Sequence, residues 1–280
     1  MDAPAVEDLM VKGYLPDNLP PVFHSFNLFE TYRQRPISYL VTSQMKGRPS
    51  TYSASKRGGQ RRVFSLSHPI FQFDAAQFFV RHWPSVLAAY ARSTGSLSVP
   101  KFVAGSVRAA RITPHSELPS RRLKRLGKFR YCLVTDVSRC FPSIYTHSIP
   151  WAINGKQASK IDRNIASATV FGNRLDFILR QSQDGQTIGI GVGSDISRMT
   201  AEIILSAVDE SFCGRYGPKS KPVFLRHVDD YWIGADSLDE AERHLSNIRG
   251  ALSEFQLDLN ELKTRTFPCS KFLAKHGLKT

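Results

Sequence analysis

The sequence predicts an α+β fold, and three observations predict it. A short apolar run, Tyr131-Cys132-Leu133-Val134-Thr135, partly β-branched and closed by Asp136, reads as a strand buried on both faces. Two further runs, Val223-Phe224-Leu225 and Tyr231-Trp232-Ile233, flank Asp229-Asp230 as the arms of a hairpin would. Apolar residues at helical spacing mark two helices: Ile196, Met199, Ile203, Ile204, Ala207, Val208 and Phe212, then Leu238, Ala241, Leu245, Ile248, Leu252 and Phe255. The order strand, helices, hairpin, helix, strand is the pattern of an α+β protein.

The remaining elements follow in order. Residues 13–23 carry Pro16, Pro20 and Pro21 and read as an extended arm, because proline disfavours helix at the residue before it. Two helical patterns flank Pro84, and residues 161–179 read as a further helix. Residues 187–193 are punctuated by glycine and form a loop feeding the helix that starts near Ile196. No internal repeat or low-complexity tract interrupts this order.

At 280 residues and 41% hydrophobic side chains the chain can bury a core. Its 38 Lys+Arg against 24 Asp+Glu leave a charge of +14, so a polyanion is the natural partner, with nucleic acid ahead of an anionic membrane. The charge is concentrated. Lys56, Arg57, Arg61 and Arg62 form one basic cluster; Arg108, Arg111, Arg121, Arg122, Lys124, Arg125, Lys128 and Arg130 form another, expected to track a phosphate backbone. From Asp229 to Glu261 the balance turns acidic. Cys132, Cys140, Cys213 and Cys269 make no CxxC pair, which argues against a zinc site or a disulfide framework and fits a reducing cytoplasm. Neither a signal peptide nor a transmembrane run is read.

The acidic side chains at strand ends carry the chemistry. Phosphoryl transfer to a nucleic-acid 3′-hydroxyl uses two divalent ions about 3.5–4 Å apart, held by carboxylates from separate strands. Asp136, Asp229 and Asp230 supply hard oxygen ligands suited to Mg²⁺ if the fold brings the strand and the hairpin together. An Asp-Asp pair by itself is usually turn chemistry; the combination with Asp136 is what points to a metal site. Gly189, Gly191 and Gly193 lack the spacing of a dinucleotide fingerprint, and Asp209, at the distance of a ribose-binding acid, lies in a helix pattern.

Four motifs in order resemble the reverse transcriptase (RNA-directed DNA polymerase) family: Asp136-Val137-Ser138-Arg139-Cys140-Phe141-Pro142-Ser143-Ile144, the loop Gly189-Ile190-Gly191-Val192-Gly193-Ser194, Val228-Asp229-Asp230, and Leu259-Asn260-Glu261-Leu262-Lys263-Thr264. Tyr145-Thr146-His147-Ser148-Ile149-Pro150-Trp151 and Ser197-Arg198-Met199-Thr200-Ala201-Glu202-Ile203 are similar to bacterial abortive-infection and defence-associated members. Upstream, Arg61-Arg62-Val63-Phe64-Ser65-Leu66-Ser67-His68-Pro69 resembles their fingers segment. Two departures stand out: His227 replaces an aromatic two places before the paired aspartates, and the chain stops soon after Lys263.

The resemblance implies a right-hand polymerase palm, an antiparallel sheet with packed helices, plus fingers, the thumb absent or truncated. Residues 1–115 would be arm and fingers, 116–266 the palm, and 267–280 the start of a thumb or extension. It implies Asp136, Asp229 and Asp230 as ligands of two Mg²⁺ ions (Mn²⁺ the alternative) and Lys263 as the cation facing the leaving pyrophosphate. Arg61 and Arg62 would grip the triphosphate, Gly191 and Gly193 position template and nucleotide, and Phe141 exclude a ribose 2′-hydroxyl. The expected partners are an RNA and DNA template–primer and deoxynucleoside triphosphates, with a partner protein, a noncoding RNA or a second copy as further candidates and no membrane. The expected setting is the bacterial cytoplasm, in antiphage defence. Arg198 and Glu202, one helical turn apart, can pair on the surface; within the resemblance they belong to the signature, and no catalytic role is assigned to either. The rival readings are a noncatalytic nucleic-acid-binding module on the same fold and an RNA-synthesising polymerase.

Overall fold

The computed structural model describes residues 2–17, 19–20, 22–34, 40–55, 59, 61–218 and 220–270. In chain order the elements are α1 (Val6–Val11), α2 (Glu30–Arg33), β1 (Ser50–Ser55), β2 (Arg61–Leu66), α3 (Pro69–Arg81), α4 (Trp83–Tyr90), α5 (Leu118–Leu126), β3 (Tyr131–Asp136), α6 (Cys140–Ser143), α7 (Ser148–Asn154), α8 (Lys156–Ile161), α9 (Gly172–Gln181), α10 (Asp195–Gly214), β4 (Phe224–His227), β5 (Asp230–Ala235), α11 (Leu238–Ser253) and β6 (Arg265–Pro268). They fall into two compact units, one of residues 1–89, 100–111 and 141–203, the other of residues 90–99, 112–140 and 204–280. Pro21, Lys56, Arg57 and residues 271–280, on which parts of the arm, the first basic cluster and the thumb expectation fall, lie outside the described residues.

The second unit is built on a four-stranded antiparallel sheet in the order β4-β5-β3-β6. β3 sits in the interior of that order, which is why its run is apolar on both faces. One face carries Cys132, Leu225 and Trp232, packed with Leu118 and Leu126 of α5, Cys269 and the partly buried Phe129. Gly234 is glycine because a Cβ there would come within 2.3 Å of the Phe129 ring. The opposite parity of β4 and β5 contributes buried Phe224, Tyr231 and Ile233, and Ile248 and Leu252 of α11 are buried as their spacing predicts. Ser237 caps α11, its Oγ accepting from the Glu240 N–H at 3.1 Å.

The first unit carries the β1–β2 hairpin and the helices α1, α3, α7, α8 and α9. Its core includes Leu9, Met10, Phe78, Phe79 and Ile178, all fully buried. The helix expected over 161–179 forms only in its second half: α8 ends at Ile161, ten irregular residues follow, and α9 begins at Gly172. Side chains cause the break: Asp162 accepts from the Asn164 N–H and the Ser167 hydroxyl, Asn164 from the Ala166 N–H, and Ser167 Oγ from the Val170 N–H. Short polar side chains that bond their own backbone compete with the helix ladder.

Arg198 and Glu202 do not form a surface pair. Glu202 is buried, and Arg198 instead donates to Asp195 and to the Ala110 carbonyl. The second basic cluster is likewise less uniform than its spacing suggests. Arg108 turns inward to Asp195 (2.9 Å), while Arg121, Lys124, Arg125, Lys128 and Arg130 are exposed.

Candidate active site

The site is assembled where β3 ends and β5 begins. Antiparallel pairing puts Asp136 opposite Asp230, and His227 of β4 opposite Asp230 from the other side. Directly opposed residues share a face with their side chains close together, so two carboxylates, from positions far apart in sequence, stand side by side. Like charges so placed oppose folding, so something other than strand pairing must keep them there.

Between the strands only Val228 and Asp229 make the turn, one residue earlier than the sequence spacing suggests, and Asp230 already belongs to β5. Two-residue hairpins ask for positive φ, usually from Gly, Asn or Asp. Val228 adopts φ 56°, a conformation that costs a β-branched residue about 1–2 kcal/mol. Three hydrogen bonds hold it: the Val228 N–H donates to Ser98 Oγ (2.6 Å), Arg226 Nη1 donates to the Val228 carbonyl (3.1 Å), and the Val137 N–H donates to the Asp229 carbonyl (3.1 Å). Arg226 is itself fully buried and pairs through Nε with buried Asp209 (2.9 Å), which also accepts from Tyr231 Oη (2.8 Å) and Ser93 Oγ (2.5 Å). Asp209 is therefore an internal helix residue and not a ribose ligand.

Burial and crowding shape the electrostatics. Desolvation first, then the neighbouring Asp230 and Asp136, raise the Asp229 carboxyl above the usual carboxylate range; Asp230 is raised in the same way, with Asp136 as its charged neighbour. Lys263, in the 3-10 turn Glu261–Lys263, donates to Asp136 Oδ2, and that bond, reinforced by the charges of Asp230 and Asp229, raises its ammonium. The turn is anchored by the Asn260 N–H to the Asp136 carbonyl (2.9 Å) and by Thr264 Oγ1 to Thr135 Oγ1 (2.7 Å).

Whether these residues fit a divalent ion can be tested on the site itself. Asp136 Oδ1 is a buried acceptor with no hydrogen-bond partner, next to two further carboxylates. A vacant hard-oxygen lone pair in a locally anionic cluster suits a hard cation. The ligands are not already closed around one point: among the described residues no three His, Cys, Asp or Glu side chains form a ready set, and Lys263 occupies the second Asp136 oxygen. The donors fit, and binding requires them to turn.

Two nearby residues, Ser98 and His115, have no signal in the sequence, and a third, Arg122, expected on a phosphate backbone with its basic cluster, acts on Asp230 instead. Arg122 stacks on Trp232 (4.1 Å) and its charge lowers Asp230; His115 lies against His227 (ring centroids 4.7 Å) and acts on Asp230 in the same direction; Ser98 donates no charge but holds the turn. His227 Nε2 lies 2.8 Å from the Thr113 carbonyl, and burial pushes its imidazole down.

The other anticipated site residues lie in the first unit. Arg61 and Arg62 are exposed on β2, the Arg61 guanidinium donating back to Ser53. The glycine loop is packed on the hairpin, with the Ser65 N–H on the Val192 carbonyl (2.9 Å), a Cβ at Gly191 3.1 Å from Ser65 Oγ, and Gly193 at φ 127° with a Cβ 2.5 Å from Pro16. Phe141 is half-buried and its carbonyl accepts from the Ile190 N–H (2.9 Å).

The chain is similar in structure to apo telomerase from Candida tropicalis, with TM-score 0.53 and 11% identity over 94% of this chain and 53% of that one. A second likeness, to Candida albicans telomerase with a fragment of telomeric RNA, has TM-score 0.47 and 12% identity over 81% and 43% of the two chains. The chain thus spans about half the length of the solved structures it matches. No match was found among curated proteins. Among the described residues no helix is long and apolar enough to cross a membrane. The family model for reverse transcriptase (RNA-dependent DNA polymerase) matches residues 86–276, well over half the chain and all four motifs, and the chain belongs to that family of nucleotidyltransferases.

Proposed function

We infer that this chain is the palm and fingers of an RNA-directed DNA polymerase that extends a primer with deoxynucleotides. The observation that carries the reading is Asp136, its Oδ1 buried and unpartnered, set opposite Asp230 at the head of the strand that follows Asp229. Asp136, Asp229 and Asp230 would hold two Mg²⁺ ions, or Mn²⁺ in their place. Bound there, the ions supply activation of the attacking 3′-hydroxyl and neutralisation of the leaving pyrophosphate. Lys263 contributes a mobile cation beside Asp136, able to follow charge onto the leaving group. Catalysis is then positioning and charge stabilisation, with no covalent step asked of the protein.

In this reading Arg61 and Arg62 contact the triphosphate, Gly191 and Gly193 position template and nucleotide, and the Phe141 ring selects deoxyribose. Residues 1–115 serve as arm and fingers, 116–266 as palm, and 267–280 begin a thumb or extension. The substrates are deoxynucleoside triphosphates and an RNA and DNA template–primer. The defence-type motifs around Tyr145 and Ser197 support a role in protection against bacteriophage in a bacterial cytoplasm, with a partner protein, noncoding RNA or second copy completing the assembly.

The test is incorporation of labelled deoxynucleotides by the purified chain with Mg²⁺ on a primed RNA template. Incorporation abolished by Asp229→Ala supports the reading. Nucleic-acid binding without incorporation in the unmodified chain would replace it with a noncatalytic module, and a preference for ribonucleotides insensitive to Phe141→Ala with an RNA polymerase.

A further inference from the structure

Residues 145–180 of the first unit line an open cavity that shares no residue with the carboxylate cluster. It measures about 400 Å³ and is lined by Tyr145, His147, Trp151, Lys160, Arg163 and Arg180 among others, a volume in the range of small-ligand sites. Its aromatic wall is ordered by contact: the Tyr145 ring stands edge-on to Trp151 (centroids 5.6 Å, 66°) and to His147 (5.0 Å, 90°), and Lys156 lies over the Trp151 indole at 4.5 Å.

The cationic wall is only partly neutralised. Asp176, the buried carboxylate of the lining, is already engaged by Arg180 Nε (3.1 Å) and His147 Nδ1 (2.7 Å). Lys160 and Arg163 are exposed, and among the described residues neither enters an ion pair. The carboxylate between them in sequence, Asp162, is turned into its own loop on Asn164 and Ser167. Arg163 Nε donates to the Lys160 carbonyl (3.2 Å), which ties the two cations to one short segment.

The chemistry narrows the occupant. Cations on the wall disfavour a metal ion, and the charged lining disfavours an apolar peptide. A lone phosphate has no use for the two rings. One nucleotide supplies both a flat π-surface and phosphates, its size suits the volume, and aromatic stacking beside cations is how single strands are held without sequence preference. We propose that this cavity binds one nucleotide of a single-stranded nucleic acid, with the base on Trp151 and its flanking phosphates on Lys160 and Arg163. The site stands independently of the polymerase reading.

Trp83 and Trp232 are buried, 4% and 7% exposed, and Trp151 is the more exposed of the three, so quenching of tryptophan fluorescence reports on this site. The probe is an oligothymidylate of about six nucleotides, titrated into the full chain. Saturable quenching is expected, and it should vanish in Trp151→Phe while affinity holds within about threefold, because phenylalanine still stacks. Lys160→Glu/Arg163→Glu, with an unchanged circular dichroism spectrum, should weaken binding about tenfold or more. It should also flatten the slope of log K against log salt by about 1.4, at about 0.7 per lost phosphate contact on a single strand. Binding without quenching, or an unchanged affinity and salt slope in the double variant, overturns the proposal. Asp229→Ala should leave the quenching intact. A chain that quenches but never incorporates deoxynucleotides refutes the polymerase reading alone, and one that incorporates without quenching refutes this site alone.

Discussion

Replacing Arg226 by methionine keeps the volume and removes the charge behind the Val228 turn. Both Arg226 and Asp209 are fully buried, and the guanidinium also serves the Val228 carbonyl. Removing one partner of a buried pair leaves an uncompensated charge and typically costs about 3–5 kcal/mol. At about 1.4 kcal/mol per factor of ten, amide exchange over β4 and β5 should speed up by two to nearly four orders of magnitude, measured on the peptides that cover them. Exchange is the right assay because a chain of two compact units has no single unfolding free energy. The double variant Arg226→Met/Asp209→Asn should recover most of the loss, since the amide oxygen still accepts from Tyr231 or Ser93 and no charge is stranded. If the single variant costs less than about 1 kcal/mol, or the double variant is no better than the single, the ion pair does not hold the turn.

Further outcomes follow from the same geometry. Gly193→Ala should destabilise the first unit by about 2 kcal/mol or more, because φ is 127° and the new methyl meets Pro16 at 2.5 Å; Gly105→Ala, at φ 74° with nothing within 4 Å, should cost about 1 kcal/mol, and equal thermal shifts for the two would refute the steric argument. Lys263→Ala should lower the melting point in chelator by only about 1–2 °C, its side chain being 60% exposed, and Mg²⁺ should then stabilise the variant at lower concentration than the parent, because it no longer competes for Asp136. His244 is buried beside Tyr216 (2.5 Å) and burial pushes its imidazole below the usual value, so protons favour the unfolded chain: its contribution is constant above about pH 6.5 and is lost as pH falls below that, at up to about 1.4 kcal/mol per unit. His244→Gln should therefore flatten the fall of stability between pH 6.5 and 5, and an unchanged profile would show that the histidine is not held neutral.

Local periodicity made β3, the hairpin, α10 and α11 legible, because each buries a face that repeats at the period of its element. The break between α8 and α9 was not, since the apolar spacing continues and only the side-chain bonds of Asp162, Asn164 and Ser167 interrupt it. The partner of Arg198 was not legible either, because adjacency on a helix says nothing of which side is buried, and Asp195 is the acid it meets inside. At the site the three aspartates were legible from motif order. Ser98 and His115 were not, because each arrives from a distant segment with a commonplace residue type, and Arg122 was legible only as one cation of its cluster, not as a neighbour of Asp230.

A valine at a left-handed position is one that an isolated segment spanning residues 222–236 would avoid. The turn takes its shape only once Ser98, from a stretch more than a hundred residues earlier, and the buried arginine are both in place. The paired aspartates thus depend for their presentation on a distant stretch of chain: a fragment that retains Val228-Asp229-Asp230 but lacks residues 90–99 would keep the family's signature in its sequence and lose it in space.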